Sequence, residues 1–144
     1  VYPTDDLPIW TQGLGTFDQS KNFLGSGLAG LHLAEDLSNS DLYKTIKQRI
    51  RTEQIKTLTL DKFLETYLIK QIDFYISDTE GYDGIIFDQL NLKKYYPKII
   101  CMETHTLDTS SIEKINNKLS KFKYKILHQK WDTIAIRNDY ASNY

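Results

Sequence analysis

The stretch Ile72-Asp73-Phe74-Tyr75-Ile76-Ser77-Asp78-Thr79-Glu80-Gly81-Tyr82-Asp83 constrains this chain most: an apolar, aromatic and β-branched run stops abruptly in carboxylates and a glycine. Such a run predicts a buried strand, and the polar residues behind it predict a turn. Gly81 permits a backbone conformation that a Cβ resists. Beyond it, Ile85, Ile86 and Leu90 carry the spacing of a short helix over residues 82–90. Strand, acidic turn and helix follow one another as in an open α/β sheet, where ligands sit beyond the carboxyl ends of the strands.

The remaining elements extend that pattern. Lys98 to Met102 is a nearly continuous apolar run, suited to the interior of a parallel sheet with both faces covered. Asp108 to Ser111 offers capping residues, and Ile112, Ile115 and Leu119 form the inward stripe of a helix ending near Phe122. Residues 123–127 and 133–137 predict two last strands, joined by a turn at 129–132 and therefore antiparallel at the sheet edge. The alternation of Lys121-Phe122-Lys123-Tyr124-Lys125 reads as an amphipathic edge strand with exposed lysines rather than an RNA-binding strand. Upstream, Thr59 or Asp61 caps a helix from Leu60 to Tyr67, with the stripe Leu60, Phe63, Leu64, Tyr67 and Leu68. Arg51 to Leu58 alternates like a strand with one exposed face, and part of 31–50 reads as helix beginning near Ser40-Asp41.

Residues 1–30 are rich in Pro, Gly, Asp and Thr around the isolated aromatics Tyr2, Trp10, Phe17 and Phe23, which predicts an irregular segment. In a functional reading it is a lid, with Trp10 and Phe17 lining a substrate pocket. In a structural reading the rings anchor a long loop by packing. At 144 residues the chain is one domain, divided into an irregular lid-like segment over 1–50 and an α/β core over 51–138.

Composition excludes several classes of function. Lys plus Arg 18 against Asp plus Glu 19 gives a formal charge of −1, with no electrostatic footprint for nucleic acid or an anionic membrane. No apolar run reaches the length that spans a bilayer, and the amino terminus lacks the basic and apolar regions of a signal peptide. The single Cys101 rules out an intramolecular disulfide framework and points to a reducing compartment, the cytoplasm. Beginning at Val1 rather than Met suggests that residues have been removed from the amino terminus.

The candidate chemistry lies past the two central strands. Asp78 and Glu80 are two apart after one, Glu103 and His105 two apart after the next. If both stretches stay extended, each pair projects to one side, and parallel neighbours spaced ~4.8 Å apart bring all four groups to one ligand or ion. Three carboxylates and an imidazole can hold a divalent metal, Mg²⁺ or Mn²⁺ before Zn²⁺, although metal is not the favoured reading. Alternatively His105 acts as a general base with Glu103 orienting it. The structural reading is that Glu80 and Asp83 only complement a helix dipole. His32 and His128, among apolar neighbours, read as packed or surface histidines.

The segment from Asp73 to Asp83 also resembles the I-D-hydrophobic-hydrophobic-(K/Q)-I-D-(V/T)-E-G-(Y/F)-(E/D) signature of FkbM-type S-adenosylmethionine-dependent methyltransferases. Leu7-Pro8-Ile9-Trp10 through Gly13-Leu14-Gly15-Thr16-Phe17 is similar to the family's L-P-x-W-A-x-G-(I/L)-x-S-F. Leu58 to Leu64 resembles T-L-D-x-L-L, Pro97 to His105 resembles P-K-I-I-x-x-E-x-x-H or E-x-H, and Trp131-Asp132-Thr133-Ile134-Ala135 resembles the closing D-T-I-A strand. These segments keep the family's order over most of residues 7 to 137. Within the signature, Ile76 and Ser77 depart from the usual residues, so Ser77 calls for a buried hydrogen-bond partner.

The resemblance implies a Rossmann-like class I methyltransferase sheet, here partial: the carboxyl-terminal strands in the order 4-5-7-6 behind an amino-terminal irregular segment. The family's glycine-rich cofactor turn has no counterpart, since Gly13, Gly15, Gly25, Gly27 and Gly30 follow no apolar strand. The strand at 72–76 then becomes a sheet edge able to pair with another chain. The implied activity is O-methylation of a small-molecule or sugar hydroxyl with S-adenosylmethionine as cofactor, exercised by the complete protein. Asp78, Glu80, Glu103 and His105 are the implied catalytic residues, Asp78 and Gly81 cofactor-binding, and Trp10, Phe17 and Asp83 the substrate pocket. Two alternatives are a non-catalytic remnant that binds a partner through its open edge, and a metal-dependent hydrolase using Asp78, Glu80, Glu103 and His105.

Overall fold

A computed structural model describes residues 54–141, together with Asp41, Lys44, Thr45 and Gln48, which are helical as expected for that stretch. The second of the chain's two units, Thr57–Tyr144, holds every element named below. In chain order these are α1 (Leu60–Thr66), β1 (Phe74–Ser77), α2 (Asp83–Gln89), β2 (Ile99–Glu103), α3 (Thr109–Lys121), β3 (Tyr124–His128), β4 (Asp132–Arg137) and the short α4 (Asn138–Ala141). The fold is α/β, and each element from α1 to β4 stands where its sequence pattern puts it, within a residue or two.

The four strands form one sheet in the order β1-β2-β4-β3. This is the 4-5-7-6 arrangement of a partial Rossmann-like methyltransferase sheet. β1 and β2 are parallel, with Tyr75 opposite Ile100. β4 runs antiparallel to β2 and to β3, with Glu103 opposite Asp132 and His128 opposite Thr133. Strand alternation then separates two faces. Tyr75, Ile100, Met102, Tyr124, Thr133 and Ala135 are buried on the face covered by α2 and α3, where Phe87, Ile115 and Leu119 close the core. On the other face, two cross-strand rows, Phe74-Ile99-Ile136-Lys125 and Ile76-Cys101-Ile134-Leu127, are half-buried or exposed. Two expectations are therefore corrected: β1, expected to be buried, is buried at Tyr75 but open at Phe74 and Ile76, and β2, expected to be covered on both faces, is buried at Ile100 and Met102 but only half-buried at Ile99 and Cys101.

Local chemistry fixes the helices. Thr59 caps α1 by accepting from Lys62 N, and Asp108 caps α3 by accepting from Ser111 N at 2.9 Å and from the Ser111 hydroxyl. These bonds hold the Asp108 carboxyl down at a pKa of about 2. α1 ends in left-handed Leu68, with φ 54°, after which Ile69 N returns to Leu64 O and Leu68 N to Glu65 O. That early stop corrects the expected five-residue stripe: Leu64 is buried and Leu60 half-buried, but Phe63, Tyr67 and Leu68 are exposed. The Lys118 ammonium of α3 closes off the end of α2 by donating to the carbonyls of Phe87 and Asp88, both at 2.8 Å.

The strand expected over 51–58 is absent across its described part, since residues 54–59 carry no regular structure. Ile55 and Leu58 are both exposed, and a strand gains stability only from a hydrogen-bonded neighbour and a face to bury. No helix among the described residues is long and apolar enough to cross a membrane.

Because Leu119 is wholly buried and Leu68 is 79% exposed, the two leucines should respond differently to truncation. Leu119→Ala is expected to cost about 2–5 kcal/mol in urea unfolding and Leu68→Ala less than about 0.5 kcal/mol.

Candidate functional site

The acidic turn is built by two successive residues with positive φ, Glu80 at 52° and Gly81 at 95°. Gly81 is buried and adopts this conformation without steric cost, whereas Glu80 stores some strain. The reversal delivers the chain to α2 at Asp83, which is fully buried and acts as the staple of the turn. Its Oδ2 accepts from Thr79 N at 3.2 Å and from the Thr79 hydroxyl at 2.8 Å, while Oδ1 has no hydrogen-bond partner. The extended projection expected for Asp78 and Glu80 is thereby corrected. Asp78 follows directly on β1, but the positive φ of Glu80 ends the extended chain, so strand alternation no longer relates the two residues. Ser77 Oγ is buried on the same face as the buried Tyr75 hydroxyl, which burial pushes up in pKa and the Ser77 hydroxyl pulls down.

At the end of β2 the arrangement is different. Thr104 points into the core and shares a hydrogen bond with Thr133, Oγ1 to Oγ1 at 2.8 Å, and Thr133 Oγ1 also meets His128 Nδ1 at 3.0 Å. With Thr104 held inward, Glu103 and His105 are turned to the other side together. Their side chains are only 13% and 18% exposed, and His105 Nδ1 lies 3.3 Å from Glu103 Oε1. The angle there is not that of a hydrogen bond, so the two groups are close neighbours, and Glu103 Oε2 is buried without a hydrogen-bond partner among the described residues. The amides of Thr104 and His105 both donate to the Trp131 carbonyl, at 2.9 and 3.1 Å. The Trp131 indole meets the His105 ring edge to face, with centroids 4.5 Å apart.

Burial and a gathering of like charge dominate the electrostatics. The Glu103 carboxyl is pushed up to about 7, first by desolvation and then by the negative charges of Asp78, Glu80, Asp83 and Asp132. Glu80 is raised by burial and by Asp78 and Asp83. Burial lowers the His105 imidazole pKa, against the opposing pull of Asp132 and Asp78. At neutral pH the pair therefore combines a neutral imidazole with a carboxyl close to half-protonated. A neutral imidazole beside a carboxyl that titrates near neutrality is an arrangement suited to general acid–base chemistry.

Of the residues predicted for the site, Glu103 and His105 are brought into contact, and Asp78, Glu80 and Asp83 lie within electrostatic reach of Glu103. Trp10 and Phe17, expected to line a substrate pocket, lie outside the described residues, as does His32. Among the described residues, no group of three or more His, Cys, Asp or Glu side chains is placed to hold a metal ion. The four-residue metal set is therefore not assembled among the described residues, although Asp78 and Glu80 both act electrostatically on Glu103. Sequence reasoning missed Thr104, Trp131, Asp132 and Thr133 as parts of the site. The strand order 4-5-7-6 implied by the resemblance sets the last strand beside β2, but only the observed register puts the start of β4 against the end of β2.

The family model described as Methyltransferase FkbM domain matches residues 7–126. No curated protein and no solved structure matches the chain.

A carboxyl raised from 4.5 to about 7 leaves the folded chain holding more protons than the unfolded one between those values. The stability contributed by neutral Glu103 is thus full below pH 4.5 and lost as pH rises through about 7. Thermal unfolding should show a smaller drop in Tm between these limits for Glu103→Gln than for the wild-type chain; parallel curves would contradict the burial of this carboxyl.

Proposed function

The chain belongs to the FkbM methyltransferase family, and from that premise we propose that it methylates a hydroxyl of a small molecule or sugar, with S-adenosylmethionine as the donor. The observation that carries the reading is the Glu103–His105 contact at the carboxyl end of β2, beside the acidic turn after β1. Parallel strands of an α/β sheet open their ligand crevice at that end.

The residues present fit the donor in part. S-adenosylmethionine brings a sulfonium, an ammonium and two ribose hydroxyls, so it suits a surface with excess carboxylate and unused acceptor atoms. Asp78 supplies such a carboxylate, and buried Glu103 Oε2 is an acceptor without a partner. Gly81, lacking a side chain, lets a ligand approach the backbone of the turn. Asp78 and Gly81 are thus the residues assigned to holding it. Among the described residues, no glycine-rich turn follows a strand to cradle the remainder.

When bound, the donor supplies an electrophilic methyl group on a cationic sulfur. The protein's own part is to hold the acceptor hydroxyl in line and to receive its proton. Burial keeps the His105 imidazole neutral and therefore able to accept that proton. Glu103, 3.3 Å from Nδ1, orients the ring and leaves Nε2 to the acceptor. The reacting form has Glu103 already ionised, so that the imidazolium made when the ring takes the acceptor's proton pairs with the Glu103 carboxylate. Asp83 supports the site from beneath by fixing Thr79.

Methyl transfer from labelled S-adenosylmethionine to a panel of sugars and small alcohols tests this function. His105→Ala is expected to lower kcat by about 10²–10⁴ with the donor KM little changed. Wild-type kcat should rise with pH through about 7, as Glu103 loses its proton, and Glu103→Gln should remove that limb. Activity of His105→Ala within twofold of wild type would contradict the assignment of the base.

A further inference from the structure

The residue facing Glu103 across the sheet is a second carboxylate. Glu103 and Asp132 are direct partners in the β2–β4 register. Thr104 N donates to Trp131 O at 2.9 Å, and at the other end of the ladder Arg137 N donates to Lys98 O at 3.0 Å. Both bonds lie outside the paired residues, which makes Glu103–Asp132 a non-hydrogen-bonded pair, the closer of the two antiparallel kinds at ~4.5 Å between Cα atoms. Side chains of opposed residues share a face, so the two carboxyl groups stand side by side. Like charges in this position oppose sheet formation. A sheet built for stability alone gains nothing from the pairing, whereas a site that must receive a positive charge does.

We propose that Asp132 is the charge partner of the Glu103–His105 pair: fixed beside Glu103 by the strand register, its carboxylate balances the imidazolium that forms on His105 when the acceptor hydroxyl gives up its proton. The assignment rests on the methyl-transfer reading and adds a positioning residue to it. Three features on the same stretch hold Asp132 in place. The Trp131 carbonyl ties down the amides of Thr104 and His105, the Trp131 indole braces the His105 ring, and the Thr133 hydroxyl locks Thr104. Residues 131–133 thus contact all three residues of the 103–105 segment. Other charged groups close by come from two elements. The turn after β1 brings Asp78, Glu80 and Asp83, all negative. The β3–β4 hairpin brings His128, engaged with Thr133, and Lys130, whose ammonium sits 4.8 Å over the Trp131 ring. The influence of Asp132 on His105 is the largest among the charges that favour the imidazolium. In the resting chain the Glu103 proton, held to about pH 7, relieves the repulsion between the two carboxyls. In the reacting form, with Glu103 ionised, the imidazolium that forms on His105 is compensated by the carboxylates beside it.

The test is a carboxyl and imidazole NMR titration of the full chain in its wild-type, Asp132→Asn, Asp132→Ser and Asp132→Glu forms, combined with methyl-transfer kinetics. Asp132→Asn removes a like charge from Glu103 and an opposite charge from His105, so both midpoints should fall, by about half a pH unit or more. The Ser variant should do the same, which covers a failure of the Asn variant to fold, and Asp132→Glu should restore both midpoints. kcat should fall about tenfold in the neutral variants with the donor KM unchanged. Unmoved midpoints, or moved midpoints with unchanged kcat, overturn the assignment. Wild-type protein that titrates as stated but transfers no methyl group overturns the methyl-transfer reading itself, and the two failures are told apart because the titration is read without substrate.

Discussion

The position of β2 between a parallel and an antiparallel neighbour governs everything else in this unit. Its carboxyl end meets the carboxyl end of β1 on one side and the beginning of β4 on the other. Acids that are far apart in sequence, Asp78 after β1, Glu103 on β2 and Asp132 opening β4, are thereby assembled without a dedicated loop. The register sets Glu103 opposite Asp132, a like-charge pair that opposes the strand pairing.

That pair works against the fold, and the structure shows how the opposition is contained. A buried carboxyl among four others cannot remain ionised at neutral pH as an exposed one does, and Glu103 responds by holding its proton to about pH 7. Asp83 is secured differently, through two hydrogen bonds from Thr79 that also shape the turn. Beneath the charges lies a firm base: Ile100, Met102, Thr133 and Ala135 are fully buried between the sheet and its two covering helices. The strained Glu80 backbone and the like-charged Glu103–Asp132 pair are tolerated because that core supplies the stability they withhold.

Much of this was readable from local pattern. The stop of an apolar run in Asp78, Glu80 and Gly81 is a short-range signal, and so are the caps at Thr59 and Asp108 and the period of Ile115 and Leu119; each resolves into the element it predicts. The failures share a physical cause as well. Alternation at Ile55 and Leu58 looks like a strand, but alternation cannot supply the neighbour that a strand needs. The stripe on α1 was cut short by the left-handed turn at Leu68, a position where leucine gives no warning of positive φ. Asp132 escaped notice because its role depends on register between strands some thirty residues apart, which no window of sequence displays. The Glu103–His105 contact was legible as a spacing of two, although what enforces it, the inward pull of Thr133 on Thr104, was not.

The ammonium of Lys118 gives the covering layer a mechanical property. By binding carbonyls near the end of α2 from the last turn of α3, and by lying 4.7 Å over the Phe87 ring, it couples the two helices like a strut. α2 begins at Asp83, at the acidic turn, so the same short helix is held at one end by Lys118 and at the other by the residue that sets the turn's shape. The geometry of the charged rim is thus tied to the packing of a helix that contributes no side chain to it.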